Sequence, residues 1–169
     1  MALRTTKWLR REELAMEVLI TCLGDVAGPR LLDGRTGNGT VGLAPHSGEP
    51  FSGTRWKMNG GPEGVVTLFC EGDIPGNRFL DGRTADGTVG LAPNTNPPFS
   101  GTRWLATRLG DGSTTFKCLG AIEGNRFLDG RTGNGSVGLA PNTEPPFSGT
   151  RWQVGVPFGD DNVGVPVDG

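Results

Sequence analysis

The sequence predicts an all-β chain in which three equal modules, each of four short strands, close around one shared core. Three observations predict it. A 48-residue register carries the chain onto itself: residues 17–58, 65–106 and 113–154 align without a gap, and 22 of the 42 columns are identical in all three, as in repeat architectures. The 30 glycines and 13 prolines are spaced by that register rather than gathered in tracts, which is the composition of strands joined by tight turns and not of disorder. Between the turns the apolar positions carry Val, Leu, Phe and Thr in runs that a glycine or proline soon interrupts, which is strand punctuation.

Each element follows from its own residues. In the second module the strand candidates are VVTLFC, NRFLDG, TVGLAP and SGTRWLA, broken at GDIPG, GRTADG and PNTNPP. In the first strand, Ile20, Leu68 and Phe116 stand two residues before Cys22, Cys70 and Cys118, so the alternation puts the cysteines on the inner face. Three thiols cannot all pair, and they are expected buried and reduced. A metal held by the three together is the alternative, but no histidine or acid lies beside them in register. Leu32, Val41, Leu43 and Trp56, with their counterparts, are expected in the core. Gly34, Gly39 and Gly53 read as turn residues that need positive φ or close packing. A four-stranded module cannot bury its own inner face, so the three must close on one another. Threefold closure of modules this long points to a β-trefoil, a six-stranded barrel capped by three hairpins.

The ends are less regular. Residues 1–16 form an N-terminal extension, strand-like or helical, in which Trp8 lies 48 residues before Trp56. Either residues 5–10 or residues 150–154 fill the closing strand, and the C-terminal one is favoured. Trp8, Leu14, Ala15, Val18 and Leu19 also fall at helix-like spacing over residues 7–19. Residues 155–169 are a tail rich in Gly and Pro, expected on the surface. The three repeats together make one domain.

The order Leu32-Asp33, then Gly39-Thr40-Val41-Gly42-Leu43, then a Trp56 that ends the module resembles the ricin-type (QxW) lectin repeat, and in pattern it is similar to actinohivin-like bacterial lectins. The resemblance implies a β-trefoil and a sugar ligand. It implies that Asp33, Asp81 and Asp129 accept hydrogen bonds from adjacent sugar hydroxyls, a task suited to a carboxylate. Arg35, Arg83 and Arg131 accompany them, and Asn38, Asp86 and Asn134 add a polar contact from the turn. Arg30, Arg78 and Arg126, and Arg55, Arg103 and Arg151, are polar residues in register as well. The bland alternative is an aspartate that caps its own turn and pairs with the nearby arginine. The chain departs from the lectin pattern where a sugar would stack: Ala44, Ala92 and Ala140 stand in place of the aromatic residue, Gly42, Gly90 and Gly138 in place of a polar one, and there is no tyrosine. Phe51, Phe99 and Phe147 are the available substitutes, or else loop anchors.

Several function classes are disfavoured. A net charge of −2 offers no basic field for a phosphate backbone, so nucleic acid is not an expected partner. No apolar run approaches the roughly 18 residues of a membrane span, and the charged N-terminus lacks a secretory apolar region, so a cytoplasmic location is expected, with unconventional release open. His46 is the single histidine and replaces Asn94 and Asn142, and Asp160-Asp161 lies in the tail. No catalytic motif occurs. The expectation is a binding protein and not an enzyme, with no cofactor and no metal, a monomer or weak oligomer that engages glycans through up to three equivalent sites. The alternative is a protein-binding module such as a protease inhibitor. A ligand-free scaffold is the third reading.

Overall fold

The computed structural model describes residues 15–61 and 63–156. Within them lie twelve antiparallel strands and three single 3-10 turns. The first module contributes β1 (Ala15–Cys22), β2 (Leu31–Arg35), β3 (Thr40–Ala44) and β4 (Trp56–Asn59). The second contributes β5 (Gly64–Cys70), β6 (Phe79–Arg83), β7 (Thr88–Ala92) and β8 (Trp104–Arg108), and the third β9 (Thr114–Cys118), β10 (Phe127–Arg131), β11 (Ser136–Ala140) and β12 (Trp152–Gly155).

The pairings run from β1 to β4, β5, β8, β9 and β12 and then return to β1. None of these six strands is left with an open edge, the usual liability of a sheet. Cys22 pairs with Trp152 and Ile20 with Val154, so the strand that begins at Trp152 closes the ring; Trp8 lies outside the described residues. The other six strands form hairpins β2–β3, β6–β7 and β10–β11. These clasp one another cyclically, because Leu43 N–H donates to the Gly135 carbonyl, Leu91 to Gly39 and Leu139 to Gly87, at 2.9 to 3.0 Å. Gly39, Gly87 and Gly135 each sit at φ +77°, a conformation cheap only for glycine, and it is their carbonyls that make the clasp.

The interior is one apolar cluster drawn from all three modules. Leu32, Trp56, Ile20 and Cys22 and their counterparts are buried as the alternation requires. Each tryptophan also donates its indole N–H to a strand carbonyl: Trp56 to Leu32 at 2.9 Å, Trp104 to Leu80 and Trp152 to Leu128 at 3.0 Å. A buried indole thus keeps its polar edge satisfied. The three cysteines are free and buried. Each thiol donates to two glycine carbonyls, Cys70 to Gly34 at 3.6 Å and to Gly53 at 3.5 Å, and burial pushes the Cys70 thiol up to about 11.

Two local expectations give way. Residues Ser52–Thr54, Ser100–Thr102 and Ser148–Thr150 form a 3-10 turn rather than the start of the last strand, because Thr54, Thr102 and Thr150 donate their hydroxyls to the Phe51, Phe99 and Phe147 carbonyls at 2.9 Å. The helix-like spacing at Ala15, Val18 and Leu19 yields to strand, since pairing with β4 and β12 buries Val18, Ile20 and Cys22 on one face. The part of that segment before Ala15 lies outside the described residues.

Candidate functional site

Asp33, Arg35 and Asn38 line one cleft in the first module, and the Asp–Arg pair recurs in the other two. Asp33, on β2, stands opposite Gly42 on β3. Its carboxylate Oδ2 accepts from Arg35 Nε at 3.4 Å, and the same bond joins Arg83 to Asp81 at 3.4 Å and Arg131 to Asp129 at 3.3 Å. The two partners differ in exposure: the Asp33 side chain is 7% exposed and that of Arg35 46%. Oδ1 lies under the 3-10 turn, 2.8 Å from where a Cβ on Gly53 would stand. The aspartate therefore does not offer two open oxygens to a ligand, which departs from what the lectin pattern implies. It anchors the arginine, and the arginine faces the solvent.

Gly42 makes that posture possible. A Cβ there would lie 2.6 Å from Arg35 Nη2 and 2.7 Å from Cζ, so the guanidinium rests flat on bare backbone. Gly90 and Gly138 give the same room to Arg83 and Arg131. The glycines that look like losses from the lectin pattern are thus the seats of the arginines. Ala44, Ala92 and Ala140 are buried, so that position faces no cleft in this chain.

Asp33, Arg35, Asn38 and Phe51 line one open cleft of about 440 Å³ together with Pro50 and Ile74. The half-buried Phe51 follows a cis Glu49–Pro50 bond. Asn38 closes an Asx turn, its Oδ1 accepting from Thr40 N–H at 3.1 Å and from the Thr40 hydroxyl at 2.7 Å. Asp86 and Asn134 do the same for Thr88 and Ser136.

Ile74 comes from the next module. It is 58% exposed and held there by backbone: Thr36 donates its hydroxyl to the Ile74 carbonyl, Asp73 N–H donates to Ser52 Oγ at 2.9 Å, and Gly76 packs on Thr36. Ile122 and Val26 occupy the same position against the second and third modules. Each cleft is therefore completed by its neighbour. Sequence reasoning missed these three residues, although a large apolar residue repeated within a polar turn at 26, 74 and 122 was a signal.

Other polar residues are used elsewhere. Arg78 Nη1 donates to the Cys70 and Gly72 carbonyls at 2.9 and 2.8 Å, and Nη2 to the Ile74 carbonyl at 3.1 Å, with Arg30 and Arg126 alike. They shape the loop that carries Ile74. Arg55 lines an adjoining cleft of about 490 Å³ with Glu71 and Asp73. His46 is exposed, its ring edge-on to Phe51 at 5.0 Å. Among the described residues no group of three or more His, Cys, Asp or Glu side chains is placed to hold a metal ion, and no helix is long and apolar enough to cross a membrane.

Burial raises the Asp33, Asp81 and Asp129 carboxyls above their ordinary value, against the opposing pull of Arg35, Arg83 and Arg131. The folded chain holds these protons more tightly than the unfolded one, so their stabilising contribution is complete below the ordinary aspartate value of about 4 and is lost as pH rises through the folded values. Urea titrations over a pH series should show the fall flattened when all three become asparagine (Asp33→Asn, Asp81→Asn, Asp129→Asn). An unchanged slope would refute burial as the cause.

No protein-family model matches this chain, and no curated protein matches it significantly.

Proposed function

We propose that the chain is a β-trefoil that binds carbohydrate in up to three corresponding clefts, one per module. The closed circuit of six strands and the cyclic clasp of three hairpins support the trefoil. One observation carries the ligand class: the cleft at Arg35 joins a few fixed polar groups to apolar walls from Phe51, Pro50 and Ile74, the combination a sugar ring needs. The arrangement recurs in every module, which suits weak sites that act together on a clustered glycan. An inhibitor that works through one loop has no use for three alike.

Glycan-array binding tests the reading. Arg35→Lys, Arg83→Lys and Arg131→Lys together keep a positive charge beside each buried aspartate but remove the planar fork. We expect retention to fall at least about tenfold, a loss of roughly 1.4 kcal/mol, with an unchanged circular dichroism spectrum. Undiminished retention would remove the site, and protease inhibition without glycan retention would favour the protein-binding alternative.

A further inference from the structure

We infer that the sugar these clefts take is anionic, its carboxylate or sulfate ester seated on the guanidinium groups of Arg35 and Arg131, and that the second cleft takes it most weakly. This rests on the carbohydrate reading and narrows its ligand.

The first cleft presents donors. The Asp33 carboxylate is buried, with Oδ2 bonded to Arg35 and Oδ1 under Gly53. Asn38 spends its side-chain oxygen on Thr40, which leaves its NH2 as the group able to meet a ligand. Ser52 Oγ already accepts from Asp73 and has a hydroxyl proton to give. Among the described residues, Arg35 and Arg131 hydrogen-bond protein through Nε alone, so both terminal nitrogens remain for a ligand. Two coplanar NH2 groups match two oxygens of a carboxylate or sulfate. The fork is fixed in advance by Gly42 beneath it and Asp33 behind it, so little side-chain freedom is lost on binding. A neutral sugar's hydroxyls match the paired guanidinium NH2 groups less well than the two oxygens of an anion.

The turn of the second cleft differs at two points. Asp86 replaces Asn38 and Asn134 and adds a negative charge near enough to Arg83 to interact with it. Ala85 replaces Gly37 and Gly133, where an added Cβ lies 3.4 Å from the wall residues Ile74 and Val26. In the loop that walls this cleft Ala121 replaces Asp73 and Asp25 while Glu123 replaces Pro75 and Ala27, which leaves the number of acids at those positions unchanged. One extra carboxylate several ångströms from a bound anion, near solvent, weakens it by about three- to tenfold.

The test exchanges the turn residues, and the chain itself shows that the turn accepts either one. An array bearing neutral, uronic-acid, sialylated and sulfated glycans should light up on the anionic members, its separate panels telling carboxylate from sulfate. Asn38→Asp with Asn134→Asp should weaken that signal by about three- to tenfold per site. Asp86→Asn should strengthen it, and calorimetry with an anionic oligosaccharide from the array should then count closer to three bound per chain than in the parent. Neutral glycans bound as well as charged ones, or signals indifferent to these exchanges, would overturn this inference and leave the carbohydrate reading standing. Silence across the whole array would overturn both.

Discussion

Gly76→Ala is expected to lower the stability of the whole chain by about 3 to 6 kcal/mol, as a forced overlap added to backbone strain. Gly76 stands at φ +152°, and a Cβ there would lie 1.9 Å from the Thr36 carbonyl oxygen. Neither side can yield easily, because Thr36 is itself bonded to the Ile74 carbonyl in the same turn. A comparison separates the two causes. Gly39 also has positive φ, +77°, but a Cβ there would meet nothing within 4 Å. Gly39→Ala should therefore cost only the left-handed strain, about 1 to 2 kcal/mol. With a total stability of roughly 5 to 15 kcal/mol, the Gly76 variant should melt about 6 to 24 °C lower and the Gly39 variant about 2 to 8 °C lower, taking some 2 to 4 °C per kcal/mol for a chain of this size. Because Gly76 seats the turn that carries Ile74, its variant should also spoil the first cleft ahead of the others. Equal melting temperatures for the two variants would show that the junction between modules is loose.

How much of this was legible depends on how far apart the interacting residues lie. The core was readable because its signal is local: Ile20 and Cys22 alternate within one strand, and the 48-residue register repeats Leu32 and Trp56 until chance is excluded. Gly34 and Gly53 read as turn residues needing positive φ or close packing; neither has positive φ and Gly34 lies within β2, but both are closely packed, a Cβ on Gly34 falling 2.7 Å from Cys70 Sγ and one on Gly53 1.8 Å from the Gly34 carbonyl oxygen. The posture of Asp33 was not readable. Its burial is decided by Gly53, twenty residues on in the chain, and by an arginine whose seat is a glycine on the facing strand. The same holds for Ile74, which belongs to one module and walls the cleft of another. Residue types in register marked where a site should be, while the direction each side chain faces was fixed by contacts between segments that the register does not relate.

Trp104→Ala should cost more than either glycine change. Truncating a buried tryptophan typically loses about 3 to 5 kcal/mol, and the Leu80 carbonyl that receives its indole N–H at 3.0 Å would be left buried without a partner, a further 1 to 3 kcal/mol or so. Trp104→Phe keeps most of the ring and loses the donor, so about 1 to 3 kcal/mol is expected. The ring also supports the cleft above it, since a Cβ on Gly82, the residue after Asp81, would stand 2.9 Å from Trp104 Cη2. Trp56 and Trp152 are equally buried and equally bonded, so their alanine variants should cost the same within about 1 kcal/mol. Because all three rings belong to one cluster, the double variant Trp56→Ala with Trp104→Ala should depart from the sum of the singles by about 0.5 to 3 kcal/mol. Urea unfolding of the six proteins, parent included, decides between a shared interior and three private ones. Strict additivity would mean that each module holds its own tryptophan independently, and the closure of the modules on one another would then carry little of the stability.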